Sequence, residues 1–494
     1  MFERFLKSKY FYIGSDIVVP IMTWLLLTFP LWFSPFHPAV VAYFIIGFDL
    51  YFLYKSFTTA YYATISYRTL QAFADYPFYK QLKTLKGADE IDHFLFLLTY
   101  KEPLYKLEAT LDRIAKMDFP YKTIHLVLAF EEREDKETRT QKEEAIRAKY
   151  GHFFKGILAT HHLLVEGEIP GKASNQTHAA KMIDQYIEEK GMDREKVLIT
   201  ISDADSNFPL NYFSYLTYEF LRDDDRKYHF YWAPVLLYNN FWQLPFFGRM
   251  QATLSSILRL AFLSEKKNLI QISTYSTNLW LLKQVGFWDV DIIPEDWHIH
   301  LQAFFKFGER VKTIPLYTII NGDAVYAGNL KKTFLGRYDQ EKRLAWGVTD
   351  ISYSIQRAFN TPHIPWLPKL RKIIYLTETH LLWPTSFFIL TLSASVPPLV
   401  NPVFKRTVLG FLLPQLSGLI LTLATAMIVV YLYLDIKTRE RLKIQTRMMN
   451  MPMLVVQWYF LPLISFVLSS LPALEAHTRL LIGKKITYKV TEKV

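Results

Sequence analysis

The stretch LITISDADSNFP, residues 198–209, decides how the chain is read. Leu198, Ile199 and Ile201 form an apolar run that stops at two carboxylates, Asp203 and Asp205. An apolar run of strand length without strict alternation predicts a strand buried on both faces, as in parallel sheets. Residues i and i+2 of a strand point to the same side, so both aspartates are expected to aim into the crevice above the carboxyl edge. Open α/β sheets bind ligands in that crevice. Two adjacent carboxylates repel each other, and a divalent cation removes the repulsion. Hard Mg²⁺ or Mn²⁺ takes carboxylate oxygen and shares its remaining positions with substrate phosphates. The same pair also suits a helix N-cap or a loop.

Outward from this stretch, HFLFLLTY (93–100) and TIHLVLAF (123–130) read as further buried strands. LYKLEATLDRIAKM and NQTHAAKMIDQYIEEKGM carry apolar residues at helical spacing between them. Strands alternating with helices predict a mostly parallel α/β sheet covered on both faces over about 90–350. The charge run at 131–150 reads mainly as a solvated helix face.

Composition adds a membrane. The 494 residues are 51% hydrophobic yet 21% charged, too apolar for an ordinary soluble protein and too charged for a pure helical bundle. Residues 17–34 carry no charge, and 38–58 follow as the second arm of an uncleaved hairpin, so 1–70 is a transmembrane hairpin. Apolar segments return at 374–396, 408–434 and 452–473, so 351–494 holds an interfacial segment, C-terminal transmembrane helices and a basic tail. Lys437, Arg439, Arg441, Lys443 and Arg447 mark a cytoplasmic loop by the positive-inside rule. Arg4, Lys7, Lys9, Lys55 and Arg68 agree, which places the α/β domain in the cytoplasm of a multi-pass protein, with the plasma membrane as the expected location. Pro452, Pro462 and Pro472 are expected to turn the last segment back as a re-entrant hairpin. The net charge of +11 without any nucleic-acid module points to lipid surface and phosphates. The chain has no cysteine, which excludes thiolate chemistry and disulfides.

Other polar motifs cluster in the same region. Thr99, Tyr100 and Glu102 close the first strand, and Glu131 and Glu132 close the second. Gly171, Lys172 and Asn175 open a helix, where backbone N–H groups and a lysine meet phosphate. The segment fails as a Walker A loop because the glycine spacing is short and Ala173 stands where Ser or Thr is required. Glu295 and Asp296 open an amphipathic helix, and Gln340, Arg343 and Trp346 follow.

This order resembles family 2 of the glycosyltransferases in its membrane-integrated, cellulose-synthase-like form. The matching positions are Tyr100-Lys101-Glu102, Gly171-Lys172-x-x-Asn175, Asp203-Ala204-Asp205, Glu295-Asp296 and Gln340-x-x-Arg343. The resemblance implies a GT-A nucleotide-sugar-binding fold between transmembrane helices, and inverting transfer of a sugar to a lipid or glycan acceptor. Asp203 and Asp205 would hold Mg²⁺ or Mn²⁺, and Asp296 would be the catalytic base. Thr99, Tyr100, Glu102, Glu131, Lys172, Asn175 and Arg343 would bind the donor, with a UDP-hexose as the default. Glu295, Gln340, Trp346, Ser276 and Asn278 would lie on the acceptor side.

Three departures from the family pattern matter. Glutamate replaces the usual second-strand aspartate and reaches one methylene farther. Leu344 stands where a tryptophan normally follows the arginine, which disfavours a growing glucan acceptor. His298 and His300 are added beside Asp296; they diverge on a helix, so an orienting or structural role is expected rather than zinc. The segment 241–263 reads equally as an interfacial or a buried helix. A processive polysaccharide synthase, or a non-catalytic membrane scaffold keeping the fold, are the alternative readings.

Overall fold

The computed structural model describes residues 8–120, 123–444 and 451–487. The chain divides into two units, one of Ser66–Phe241 with Phe262–Ala324, the other of Met1–Ile65 with Trp242–Ala261 and Val325–Val494. Residues 325–350, expected in the α/β region, therefore belong to the helical unit.

In the first unit the three apolar runs become β1 (Asp92–Thr99), β2 (Ile124–Glu131) and, after β3 (Gly156–His162), β4 (Val197–Asp203). All eight residues of β2 are buried, as a strand covered on both faces requires. The sheet also holds β5 (His229–Trp232), β7 (Tyr275–Asn278) and β8 (Lys312–Pro315), in the order β3-β2-β1-β4-β7-β5-β8. β6 (Val235–Leu236) and β9 (Ile320–Asn321) form a separate parallel pair. β7 alone is antiparallel to its neighbours, so the sheet is mixed but mostly parallel.

The strand order locates the ligand crevice. From β1 the chain steps outward through β2 to β3, then returns so that β4 pairs with the opposite side of β1. The β1/β4 boundary is a topological switch point, where loops leave the carboxyl edge in opposite directions and open a cleft. Leu95, Leu97, Leu126, Leu128 and Leu198 pack with Leu107, Leu111 and Phe213 to form the core under that edge.

β7 was not legible as a strand. Its residues YSTN are polar, yet all four are buried. Ser276 exchanges a hydrogen bond with Thr200 of β4 at 2.7 Å, and Thr277 donates to the His229 carbonyl at 3.1 Å. Cross-strand partners satisfy the hydroxyls, which makes their burial tolerable.

The second unit is helical. Lys9–Phe33, Pro38–Ala72, Val408–Arg441 and Pro452–Leu481 are each long and apolar enough to cross a membrane, and the pair Trp366–Thr391 and Ser393–Val400, bent by 47°, makes up to five spans. Phe411, Leu419 and Val429 face outward, as lipid contact requires. The prolines of the last segment do not turn it back. They sit within one helix of 30 residues. Gln457–Phe460 tightens to a 3₁₀ turn and Phe466–Ser470 widens to a π turn. Such adjustments re-satisfy the backbone groups that proline frees.

The basic loop is also shorter than expected. The helix runs on to Arg441, and Arg439 is buried in the fold, donating through Nη2 to Asp435 at 2.7 Å. Arg4, Lys7 and Arg447, and the tail beyond residue 487, lie outside the described residues. The segment 241–263 forms a 3₁₀ turn, Phe241–Gln243, and most of a helix, Phe246–Ser264, whose Phe247 and Met250 are buried against Trp458, Ile464 and Leu468 while Phe246 and Leu258 are exposed.

Candidate active site

Four side chains meet at the carboxyl edge of β4. Asp203 is the last residue of that strand. Lys172 begins the helix Lys172–Glu189, and Glu295 and Asp296 begin the helix Glu295–Phe307. The Lys172 Nζ lies 3.3 Å from Asp203 Oδ1, 3.6 Å from Asp296 Oδ1 and 3.8 Å from Glu295 Oε1. Gly171 explains why the lysine can enter here. Its φ of 154° and ψ of −163° fall in a region essentially limited to glycine.

One residue that the motifs did not indicate ties the cluster together. The Ser273 N–H donates to Asp296 Oδ2 at 2.7 Å, its hydroxyl donates to Asp203 Oδ2 at 2.5 Å, and its carbonyl accepts from Lys172 Nζ at 2.6 Å. Ser273 does this from a left-handed conformation, φ +67°, which is uncommon for a residue with a side chain. A lone serine in a polar stretch carries no sequence signal for such a role.

The electrostatics are unequal. Burial would lower the pKa of Lys172, but Asp203, Asp296 and Glu295 together hold it well above the ordinary lysine value. Burial raises the pKa of Asp296, opposed by Lys172 and the Ser273 amide and assisted by Asp203. Asp296 Oδ1 is buried and has Lys172 as its charged neighbour. Three carboxylates thus gather around one ammonium.

Asp205 is placed differently from the expectation. β4 ends at Asp203, so Asp205 lies in the following turn and strand alternation does not set its direction. The Asp323 N–H donates to Asp205 Oδ2 at 2.9 Å, and Asn239 donates to the Asp205 carbonyl at 3.1 Å. Asp323 in turn pairs with Lys106 at 3.1 Å. Asn207 and Asn321 exchange backbone hydrogen bonds at 2.7 and 3.0 Å and pin the turn. Lys106 and Asp323 were missed because the pairing spans 217 residues of sequence.

The other expected site residues divide into groups. Glu102 accepts from the Thr99 hydroxyl at 3.2 Å and the Tyr100 N–H at 2.5 Å, bracing the turn after β1. Glu131 is buried at the end of β2 and ion-paired with Arg133. Asn175 donates to the Ala129 carbonyl at 2.9 Å and anchors its helix to β2. Ser276 and Asn278 are fully buried. Ser276 bonds Thr200 and Tyr212, while Asn278 accepts from the Trp280 N–H and caps a helix, so both have structural employment. His298 pairs with Asp289 at 2.9 Å, and His300 packs by Phe230 and Thr313. Gln340, Arg343 and Trp346 belong to the helical unit. There Arg337 donates to Gln340 and Glu341, and to Gln251 at 2.6 Å. Trp346 is buried while Leu344 is exposed.

Among the described residues no group of three or more His, Asp or Glu side chains is placed to hold a metal ion. The donor set at Asp203 and Asp205 is two carboxylates, which fits only a hard cation that takes further ligands from a bound phosphate.

No known protein family matches the sequence, and no curated protein matches it. Solved structures resemble the fold at low identity. The mannosyltransferase PcManGT from Pyrobaculum calidifontis, in complex with GDP-Man and Mn²⁺, is 14% identical with a TM-score of 0.41, over 79% of this chain and 97% of that one. S. aureus TarS 1-349, in complex with UDP-GlcNAc, is 11% identical with a TM-score of 0.37, over 71% of this chain and 92% of that one. Likeness at this level carries no argument about the chemistry of the site.

Proposed function

We propose that the chain is a membrane-bound inverting glycosyltransferase, moving a sugar from a nucleotide-sugar donor to a lipid or glycan acceptor. The observation that carries the proposal is Asp296, a carboxylate whose buried oxygen faces Lys172 beside the β1/β4 cleft. A base that accepts a hydroxyl proton works best when its proton affinity is raised toward the working pH. Burial supplies the rise, and Lys172 opposes it by favouring the ionised form.

In the proposed step the acceptor hydroxyl gives its proton to Asp296 while its oxygen bonds the anomeric carbon. The bond from that carbon to the β-phosphate oxygen breaks, and the nucleoside diphosphate leaves with the electron pair. A single displacement from the opposite face inverts the anomeric centre. Lys172, at a helix N-terminus, meets the diphosphate, where backbone N–H groups and the helix dipole favour negative charge. Asp203 and Asp205 would hold Mg²⁺ or Mn²⁺, which supplies positive charge at the departing diphosphate when bound. Ser273 keeps Asp203 and Asp296 at fixed separation, and Glu295 flanks the acceptor side.

Four helices long and apolar enough to span support a membrane location, and Lys437 and Lys443 at the end of one span support a cytoplasmic catalytic unit. The exposed Leu344 favours single transfer over processive synthesis, because leucine lacks the flat face on which a sugar chain stacks. The test is the stereochemistry of a single turnover, read by NMR of the product anomer. Inversion is expected; retention would remove Asp296 as the base of a single opposite-face displacement.

A further inference from the structure

Asp203 and Asp205 are held by different parts of the chain. Asp203 closes β4 and is fixed by Ser273 and Lys172. Asp205 lies two residues past the strand, where alternation no longer sets its direction and contacts from other segments must. The segment 320–324 supplies one. β9 pairs with β6, and the Gly322 N–H donates to the Leu236 carbonyl at 2.8 Å. The Asn240 side chain exchanges two hydrogen bonds with the Ala324 backbone, at 2.8 and 2.9 Å. Gly322 lies so close to β6 that a Cβ there would come within 2.8 Å of Val235 Cγ1. The strap fixed in this way lays the Asp323 N–H on Asp205 Oδ2 at 2.9 Å.

The Asp323 carboxylate is itself anchored. Its Oδ2 accepts from Lys106 Nζ at 3.1 Å, with the two side chains 12% and 11% exposed. Lys106 stands in the first turn of the helix Leu104–Ile114. The same helix grips the turn that carries Asp205. The Thr110 hydroxyl donates to the Ala204 carbonyl at 2.8 Å, and Arg113 Nε donates to the Phe208 carbonyl at 3.0 Å. One helix therefore ties down the turn on either side of Asp205 and, through Lys106, the strap that orients it. An ion pair with so little exposure is weakly screened, and removing one partner leaves the other poorly compensated. Without Lys106 the Asp323 carboxylate is drawn toward water and its N–H moves off Asp205.

We propose that Lys106 and Asp323 are positioning residues that aim Asp205 at the divalent cation, acting through the Asp323 N–H rather than by touching the ion. The inference rests on the reading of Asp203 and Asp205 as the metal pair given above. A carboxylate oriented by an outer hydrogen bond is set before the metal arrives, and such partners govern metal affinity. The sign of the effect separates positioning from plain electrostatics. As a mere nearby positive charge, Lys106 would repel a divalent cation, and its removal would tighten metal binding. As the anchor of Asp323, its removal weakens metal binding.

The test is Mn²⁺ binding to the full-length chain in detergent, read by electron paramagnetic resonance with UDP and separately with GDP, beside the affinity for the same nucleotides without metal. Lys106→Met is expected to weaken Mn²⁺ binding about 10–100-fold and to leave metal-free nucleotide affinity unchanged. Lys106→Arg, which keeps the charge and its donors, should bind Mn²⁺ as the unaltered chain does. Lys106→Glu combined with Asp323→Lys rebuilds the pair at the same net charge and should recover most of the loss. Unchanged or tighter Mn²⁺ binding in Lys106→Met, or in Lys106→Gln where the first variant does not fold, overturns the positioning role. An equal loss with and without metal places Lys106 on the nucleotide itself and overturns it too. Both results leave the transferase reading standing. Binding of no Mn²⁺ by the unaltered chain with either nucleotide overturns both.

Discussion

Two buried ion pairs in this molecule follow opposite rules. In the helical unit Arg439 and Asp435 form a buried ion pair one helical turn apart, side chains 0% and 3% exposed. Thr253 donates to the second Asp435 oxygen at 2.9 Å. The pair links successive turns of one helix. In the α/β unit Lys172 faces three carboxylates and one strained serine. A buried Asp296 oxygen lies 3.6 Å from that ammonium. A pair within one helix ties successive turns together, whereas several carboxylates gathered on one lysine in a cleft form the kind of perturbed cluster that functional sites carry.

Substitutions can break that contrast, and the largest effect is expected at Asp296. Asp296→Asn should lower turnover about 10²–10⁴-fold, the usual contribution of a general base, while nucleotide affinity holds. Single-turnover rates beside binding isotherms check it. A variant with normal turnover would put the carboxylate cluster down to structure alone.

Arg439→Met probes the other side. It strands Asp435 in a buried position and should cost about 3–5 kcal/mol, seen as a fall in thermal stability in detergent. The double change Arg439→Met with Asp435→Leu should recover most of it. Protein that remains folded should bind nucleotide normally, in contrast to changes at Lys172.

The pH dependence sharpens the electrostatic claim. A base acts only when deprotonated, and burial holds the Asp296 carboxyl above its ordinary range. Transfer should therefore fail as pH falls through a limb displaced upward from that of a free aspartate. Lys172 opposes the shift, so Lys172→Met should move the limb higher still. Profiles of kcat/KM against pH read both. A limb unmoved by Lys172→Met would separate the two residues.

The smallest effect is expected at Ser276. Its hydroxyl serves Thr200 and Tyr212 inside the sheet. Ser276→Ala should cost about 1–2 kcal/mol of stability and leave turnover per folded molecule unchanged. A selective loss of acceptor affinity would return Ser276 to the acceptor side.

The sequence carried the parts of the fold that depend on local pattern. β1, β2 and β4 were legible because parallel strands buried on both faces leave continuous apolar runs. Asp203, Lys172 and Asp296 were legible because each sits at the end of a strand or the start of a helix, where a motif keeps fixed spacing. Asp205 was only half legible, since the strand stops two residues before it. Ser273 and the Lys106–Asp323 pair were not legible. Their roles come from a backbone angle and a pairing between distant segments, neither of which leaves a periodic trace. The polar strand β7 failed for a related reason. Its buried hydroxyls read as turn residues until their cross-strand partners are known.

The most direct test of the transferase account is nucleoside diphosphate release by the full-length protein in detergent. A panel of UDP-, GDP- and dTDP-sugars with Mn²⁺ or Mg²⁺ would be run beside Asp205→Ala and Asp296→Asn. The account predicts metal-dependent release from one nucleotide class, lost in both variants. Release undiminished in Asp296→Asn, or nucleotide binding by none of the proteins, would contradict it.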